Sequence, residues 1–391
     1  MRVYLLNVKY SENLGDGVIS DCLEYLLLRS RFKPEIVVFD LSRKNSFPRP
    51  DDYVNSKTKK QMFVEFCRRS HVFKLVIPLL NFAYSILLLK GIRKALSPDI
   101  VFIGGGQLVA DAEQFFSGRL FVPVLYMKMK LDVKIVFYSI GVSSKIRSFG
   151  RLIFKRLLTK SEIYVRDEMS REEVEKTFCL KSDVVPDVGI LASLVYSLVP
   201  NEGNDVGFCV SSPLALSLHS SEATILYGVS FYIDKIKTLI DGGRRVSLFT
   251  NGLEEDDLFM RVVMDKYVSI YGTTDSLVME NRFLKPEQLV KFISSCEYIF
   301  AHRMHACIVA TSYGIPAFGF GWDVKLESFY RDSKISHLFV SANEASAANC
   351  LDLINAVDPI LVRKTAELLV SEAKNRHLMV LNKLGLECCY E

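Results

Sequence analysis

The stretch EYIFAHRMHACIVATSYGIPAFGF, residues 297–320, holds a complete β-α-β unit. Its first apolar run ends near Ala301, and His302, Arg303 and His305 stand between that strand and an apolar helical segment. Gly314 is placed to close the helix in a left-handed turn. Pro316 follows, the usual punctuation before the chain re-enters a sheet as IPAFGF (315–320). Two strands joined through a helix rather than a tight hairpin require a parallel crossover.

Working outward, the same alternation recurs along the chain. RVYLLNV (2–8), EIVVFD (35–40), DIVFIGG (99–105), KIVFYSI (134–140), EIYVRD (162–167) and DVVPD (183–187) read as strands. ISDCLEYLLLR (19–29), RSFGRLIFKRLLTK (147–160) and SREEVEKTF (170–178) read as helices. Strands that are apolar at nearly every position belong to parallel sheets covered on both faces. The turn-rich VPNEGND (199–205) interrupts the pattern, which restarts with DVGFCVS (205–211), RRVSLFT (244–250) and the helix PEQLVKFISSC (286–296). The fold class expected is α/β, with two tandem Rossmann-like domains over 1–198 and 205–391 and ligands in a cleft between them. A C-terminal helix over 361–386 is expected to pack back, and 41–98 to form an insertion whose 41–71 part is polar.

Composition narrows the function classes. Among 391 residues 49% are hydrophobic and 24% charged, so core material is ample. A formal net charge of +4 is too dilute for a nucleic-acid footprint. None of the nine cysteines forms a CxxC or zinc spacing, and the N-terminus turns polar too early for a signal peptide, so a cytoplasmic protein is expected. LVIPLLNFAYSILLL (75–89), flanked by Lys74 and Lys90, would reach about 22 Å as a helix, against roughly 30 Å of bilayer hydrocarbon. It reads either as core or as a basic-flanked surface resting on an anionic membrane.

Ligands of open α/β sheets collect beyond the carboxyl ends of strands, where helix N-termini offer unpaired N–H groups. Four polar clusters fall there. Asn13, Gly15 and Asp16 follow the first strand, with Asp16 a helix N-cap candidate. Gly104, Gly105 and Gly106 permit close backbone approach without forming a Walker or GxGxxG loop. Arg166 suits carboxylate or phosphate, although a structural pair with Asp167 explains it equally. Arg303 and His305 open the helix of the first-quoted stretch. His302 and His305 are spaced i,i+3 without a third ligand or the glutamate of HExxH, so no metal is expected.

Taken in order, NLGD (13–16), DIVFIGGGQL (99–108), IYVRDEMS (163–170), VVPDVG (184–189), FTNGLEEDD (249–257), HRMHACIVATSYGIP (302–316) and WDVK (322–325) make the chain resemble the polysaccharide pyruvyl transferase family. The match covers roughly residues 7–330, and FTNGLEED points to the bacterial exopolysaccharide and capsule branch. The resemblance implies a GT-B-like fold, phosphoenolpyruvate as co-substrate and a pyruvate ketal on a glycan acceptor as product. That acceptor would be a polyprenyl-diphosphate-linked oligosaccharide at the cytoplasmic face of the inner membrane, with peripheral membrane contact. No further cofactor is implied. In that family an R-D arginine and an R-x-H pair act on phosphoenolpyruvate, and these correspond to Arg166, Arg303 and His305. Met304 replaces a Leu-like residue within the R-x-H motif. His305 is the candidate general acid/base. Lys325 is a further cation for the anionic donor, and Asp187 and Asp16 are candidates to hold sugar hydroxyls. Asn251 and Gly252 are taken as substrate-binding. Glu255 and Asp256 either cap the following helix or orient the acceptor. A GT-B glycosyltransferase using a nucleotide sugar remains the alternative, since fold alone never decides function.

Overall fold

The computed structural model describes residues 1–48, 71–111, 115–199, 205–217 and 226–388, with backbone alone for 71–79 and 215. The chain forms two compact units. One takes Met1–Ser11, Ile19–Val188 and Arg376–Glu391; the other takes Glu12–Val18 and Gly189–Asn375. The change of unit falls at Val188, ahead of the turn-rich stretch 199–205, whose residues 200–204 lie outside the described ones. The last helix, Pro359–Lys383, contributes to both units.

Strands β1 (Arg2–Asn7), β2 (Glu35–Asp40), β3 (Ile100–Val109), β4 (Lys134–Val142), β5 (Glu162–Val165) and β6 (Asp183–Val184) form the first sheet, in the order β2-β1-β3-β4-β5-β6. All its pairings are parallel. β1 is apolar at nearly every position because the sheet is covered on both faces, and Val3 to Leu6 are fully buried. The order reverses beside β1, between β2 and β3, which makes the ends of β1 and β3 the switch point of this sheet. β3 runs straight through the glycine triplet. A Cβ on Gly104 would strike the carbonyl oxygen of Tyr138, and Gly105 has φ of 79°, so backbone packing by itself requires these two glycines.

Strands β7 (Asp205–Cys209), β8 (Arg245–Phe249), β9 (Leu277–Met279), β10 (Tyr298–Ala301), β11 (Ala317–Phe320) and β12 (Phe339–Val340) form the second parallel sheet, in the order β12-β11-β10-β7-β8-β9. Here the switch point lies between β7 and β10. Phe208, Phe300 and Phe318 are register partners on β7, β10 and β11, and their rings stack at 5.7 and 4.8 Å. Stacked aromatic pairs of this kind add roughly 0.5–1.5 kcal/mol beyond simple burial. The crossover read from 297–320 is present as expected: β10, the helix Met304–Ser312, Gly314 at φ 70°, then β11.

Two local expectations are corrected. The first helix begins at Leu14, not at Ile19, so Asp16 lies within its first turn and is not its N-cap. The helix Glu254–Tyr271 has Leu253 at its N-cap, without a side-chain cap, so neither Glu255 nor Asp256 caps it.

The apolar segment 75–89 lies within one helix, His71–Lys94, and most of the polar stretch 41–71 (residues 49–70) lies outside the described residues. From residue 80 onward the helix's inward face, one residue per turn, is polar at Asn81 and Ser85 and apolar at Leu88 and Ile92, which join the core. Asn81 and Ser85 are buried while Leu80, Phe82, Ile86 and Leu87 are exposed. Asn81 Oδ1 accepts hydrogen bonds from Arg119 Nε and Arg43 Nη2, each at 2.7 Å, which explains why a polar side chain faces inward. No helix among the described residues is long and apolar enough to cross a membrane.

Candidate active site

The second unit gathers His305, Arg303, Asn251, Gly252, Lys325 and the segment Glu12–Val18. Arg303 occupies the N-cap of the helix Met304–Ser312 with an extended backbone and makes no side-chain cap. Its Nε donates to Asp256 Oδ2 at 2.9 Å, and Nη2 donates to the same oxygen. The other oxygen of Asp256, a fully buried residue, accepts from Ser212 N at 2.8 Å. Asp256 is therefore the counter-ion of Arg303. Burial works against the guanidinium charge, but the charge and hydrogen bonds of Asp256 outweigh it and raise the Arg303 pKa.

His305 is the second residue of that helix and lies over Gly15. A Cβ at Gly15 would collide with His305 Cβ and Nδ1, so the glycine leaves room for the imidazole. Asp16 Oδ1 stands 3.9 Å from Nδ1, close enough to orient a charged imidazolium but beyond a hydrogen bond. The segment is anchored by Leu14 N donating to Asn251 O at 2.8 Å and by Asp16 N donating to Asn13 O at 3.0 Å. Gly252, at φ 98°, brings its Cα so near Glu12 O that a Cβ would lie 2.6 Å from that oxygen. Asn251 is fully buried, and its Nδ2 has no hydrogen-bond partner among the described residues. Such a donor costs about 1–3 kcal/mol unless something accepts from it, which suits a ligand oxygen. Lys325 Nζ pairs with Asp323 Oδ2 at 2.9 Å, and Asp323 caps the helix Val324–Asp332.

A Gly15→Ala variant is expected to lose activity and some stability, because the new methyl would collide with His305 Cβ as well as with the ring, so the helix and not only the imidazole must shift. Turnover together with the fluorescence of Trp322, the only tryptophan, checks both halves.

His302 has a different character. It is fully buried among Tyr227, Phe231, Tyr232 and Phe320, and its Nδ1 lies 3.2 Å from Tyr232 Oη. Its carbonyl accepts the indole N–H of Trp322 at 2.5 Å. Burial, then the Arg303 charge, lowers its pKa to about 3, so it is neutral at pH 7. The unfolded chain binds a proton at this site below about pH 6.5 that the folded chain refuses. Its stabilising effect is therefore complete above that pH and lost as pH falls, by about 1.4 kcal/mol per pH unit down toward the folded value. Chemical denaturation of wild type and His302→Gln between pH 7 and 4.5 is expected to give a shallower slope for the variant.

In the first unit Arg166 follows β5 and is nearly buried. Nε lies 3.3 Å from Asp167 Oδ2 and Nη1 lies 3.2 Å from Asp187 Oδ2. Asp167 also caps the helix Glu168–Phe178 by accepting from Ser170 N. A Cβ on Gly141 would lie 3.0 Å from the guanidinium, so that glycine makes room for it. Ser139, at φ 50°, ties the neighbouring strand to the 186–188 turn: Oγ donates to Pro186 O and accepts from Val188 N. Sequence reading brought Arg166 and Asp187 forward separately; they are partners. It missed Arg282, which pairs with Asp257 Oδ2 at 3.0 Å and donates to Gly252 O, and which no motif flags.

The sequence profile described as "Polysaccharide pyruvyl transferase" matches residues 13–324. The chain belongs to that family. The matched span takes in the His305–Arg303 pair, Arg166, Asn251 and the Gly15 segment that receives the imidazole. No curated protein sequence matches this family member. Among solved structures, the fold is similar to that of S. aureus MnaA with UDP, at TM-score 0.58 and 12% identity, over 100% of this chain and 98% of that one. It is similar to trehalose-6-phosphate synthase OtsA at TM-score 0.60 and 11% identity, over 100% and 99%. It is also similar to a Rickettsia africae glycosyltransferase at TM-score 0.56 and 11% identity, over 99% and 97%. At these identities the likeness establishes the GT-B-type fold of this pyruvyl transferase family member and nothing about its substrates.

Proposed function

We propose that this protein transfers the pyruvate unit of phosphoenolpyruvate onto two hydroxyls of one sugar in a lipid-linked surface-polysaccharide precursor, forming a pyruvate ketal and releasing phosphate. The observation that carries this reading is the Arg303–His305 pair at a helix N-terminus, with Arg303 locked to Asp256 and the imidazole seated on Gly15. In a member of the pyruvyl transferase family, a fixed guanidinium and a free-standing helix end suit the donor's phosphate and carboxylate.

The chemistry needs two protons moved. As the first sugar hydroxyl adds to C2 of phosphoenolpyruvate, a proton reaches the methylene carbon and makes it a methyl. As the second hydroxyl adds to C2, the C2–O bond to phosphate breaks and the remaining proton leaves with phosphate. His305 is assigned the transfer to the methylene carbon, and Arg303, with Lys325, the charge on the departing phosphate. Arg166, set between Asp167 and Asp187 in the first unit, is assigned to substrate as well, with Asp187 accepting from a sugar hydroxyl. Asn251 Nδ2 and the Asn13–Asp16 turn are assigned to ligand oxygens. The scheme uses no metal and no further cofactor. It places the enzyme in the cytoplasm, at the membrane that carries its acceptor.

Incubation with phosphoenolpyruvate and a lipid-linked oligosaccharide is expected to release phosphate and add a pyruvate-sized mass to the glycan. A hexose-sized gain that requires a nucleotide sugar would overturn the reading. Arg303→Ala is expected to raise KM for phosphoenolpyruvate or abolish turnover; wild-type kinetics in a folded variant would remove Arg303 from the assignment.

A further inference from the structure

The charge of this protein is almost balanced overall, yet one layer of the first unit is not. The helices His71–Lys94, Phe116–Tyr126 and Ser148–Leu158 follow β2, β3 and β4, and the second packs against both the first and the third. Successive right-handed crossovers in one direction put all three on the same face of the sheet. Residues 80–96, 115–131 and 143–161, which supply this layer and its short connections, contain twelve Lys and Arg and no Asp or Glu. Ten of the twelve are exposed. The carboxylates nearest these spans in the chain are Asp99, Asp132 and Glu162, at the entrances to strands, with Glu113 and Asp111, the latter buried and accepting from Ser117 N.

Helix electrostatics accounts for only part of this: Arg93, Lys94, Lys155 and Arg156 lie in last turns, where cations are favoured, and others among the twelve do not gain in this way. A helix gains from acidic residues in its first turn, and the helices Glu168–Phe178 and Glu254–Tyr271 have them, but none of these three does. The cations also press on one another. Lys128, whose Nζ donates to the carbonyls of Leu157 and Thr159, is pushed down to about 8 by burial and by the charges of Arg156 and Lys160.

Large apolar side chains stand exposed among these charges. Phe149 is 65% exposed, Leu152 68%, Met129 65% and Leu87 60%, with Phe82 and Ile86 beside the last. Burying them against another surface would repay an exposure that a soluble face has no use for. A polyanion such as RNA would use the cations and leave these side chains in water. An anionic bilayer uses both, since Lys and Arg meet the headgroups while Phe, Leu and Met enter the acyl boundary.

We propose that this helix layer is a membrane-docking face that rests on the anionic lipid surface. The inference stands on the charge and exposure of the layer and not on the transfer reaction, so its test needs no substrate. The full chain is expected to float with vesicles of phosphatidylcholine containing about a third phosphatidylglycerol, and not with phosphatidylcholine alone. Raising salt from about 0.1 M to about 1 M, which shortens the screening length from ~10 to ~3 Å, is expected to release most of it. Arg151→Gln/Lys155→Gln/Arg156→Gln is expected to weaken vesicle binding at least about tenfold, from the usual contribution of a basic residue near an anionic surface. Phe149→Ser/Leu152→Ser is expected to weaken it with the charges intact. Both variants alter exposed side chains, so far-UV circular dichroism and turnover on a water-soluble acceptor should match wild type. Absence of flotation, flotation unchanged in both variants, tighter binding to an oligonucleotide than to vesicles, or a dimer that the serine variant dissociates would each overturn the proposal.

Discussion

His305→Gln is expected to lower kcat by roughly 10²–10⁴-fold, the usual worth of a positioned acid/base group. Glutamine has about the size of histidine and hydrogen-bonds, so it can rest over Gly15 near Asp16, but it cannot take and return a proton at neutral pH. The expected signature is a collapse of phosphate release with little change in the thermal midpoint. KM for phosphoenolpyruvate should move little as long as Arg303 stays on Asp256. A variant that turned over at the wild-type rate would leave the proton to another group, and Asp16 would be examined next. Pairing the measurement with Gly15→Ala separates two causes of loss, because that variant keeps the imidazole and shifts it by crowding its Cβ.

Asp256→Ala is expected to cost stability as well as activity. The change strands the Arg303 guanidinium and deprives Ser212 N of its acceptor. Breaking one side of a buried ion pair usually costs about 3–5 kcal/mol. Asp256→Asn keeps the volume and one acceptor oxygen, so it should lose less. Combining Asp256→Ala with Arg303→Met removes both charges and should recover much of the stability but none of the turnover. Urea unfolding followed by Trp322 emission would read the coupling, which is expected to be well above the few tenths of a kcal/mol seen between independent sites. Additive losses would mean that the pair is not an energetic unit and that Arg303 is held by something else.

The Asp256 example shows where reading residues in order stops. FTNGLEEDD advertised a helix start rich in carboxylates, and a cap or an acceptor contact were the two local uses open to them. Neither reading includes Arg303, because the sheet order, which leaves β10 and β8 on either side of β7, is what brings an arginine following β10 to a carboxylate following β8. Arg166 and Asp187 show the same thing on a smaller scale: each was visible, and their partnership depended on β5 and β6 lying side by side. The glycine triplet went the other way. It looked like a ligand loop, and the geometry of β3 against Tyr138 supplies a packing reason for Gly104.

What the residues determined unaided was the period and the punctuation. Continuous apolar runs specify strands buried on both faces, 3.6-residue periodicity specifies the helices between them, and glycine and proline mark where each ends. These are nearest-neighbour effects, so the two parallel sheets and the Arg303–His305 junction were legible from 297–320 and its counterparts. The edge strands β9 and β12, three and two residues long, were not, while the equally short β6 was marked by the apolar pair and proline of DVVPD. Only the tertiary structure decided which charge answers which, which glycine serves an imidazole, and that three basic helices share one face. Those depend on distances between residues far apart in the chain, and the sheet order sets them.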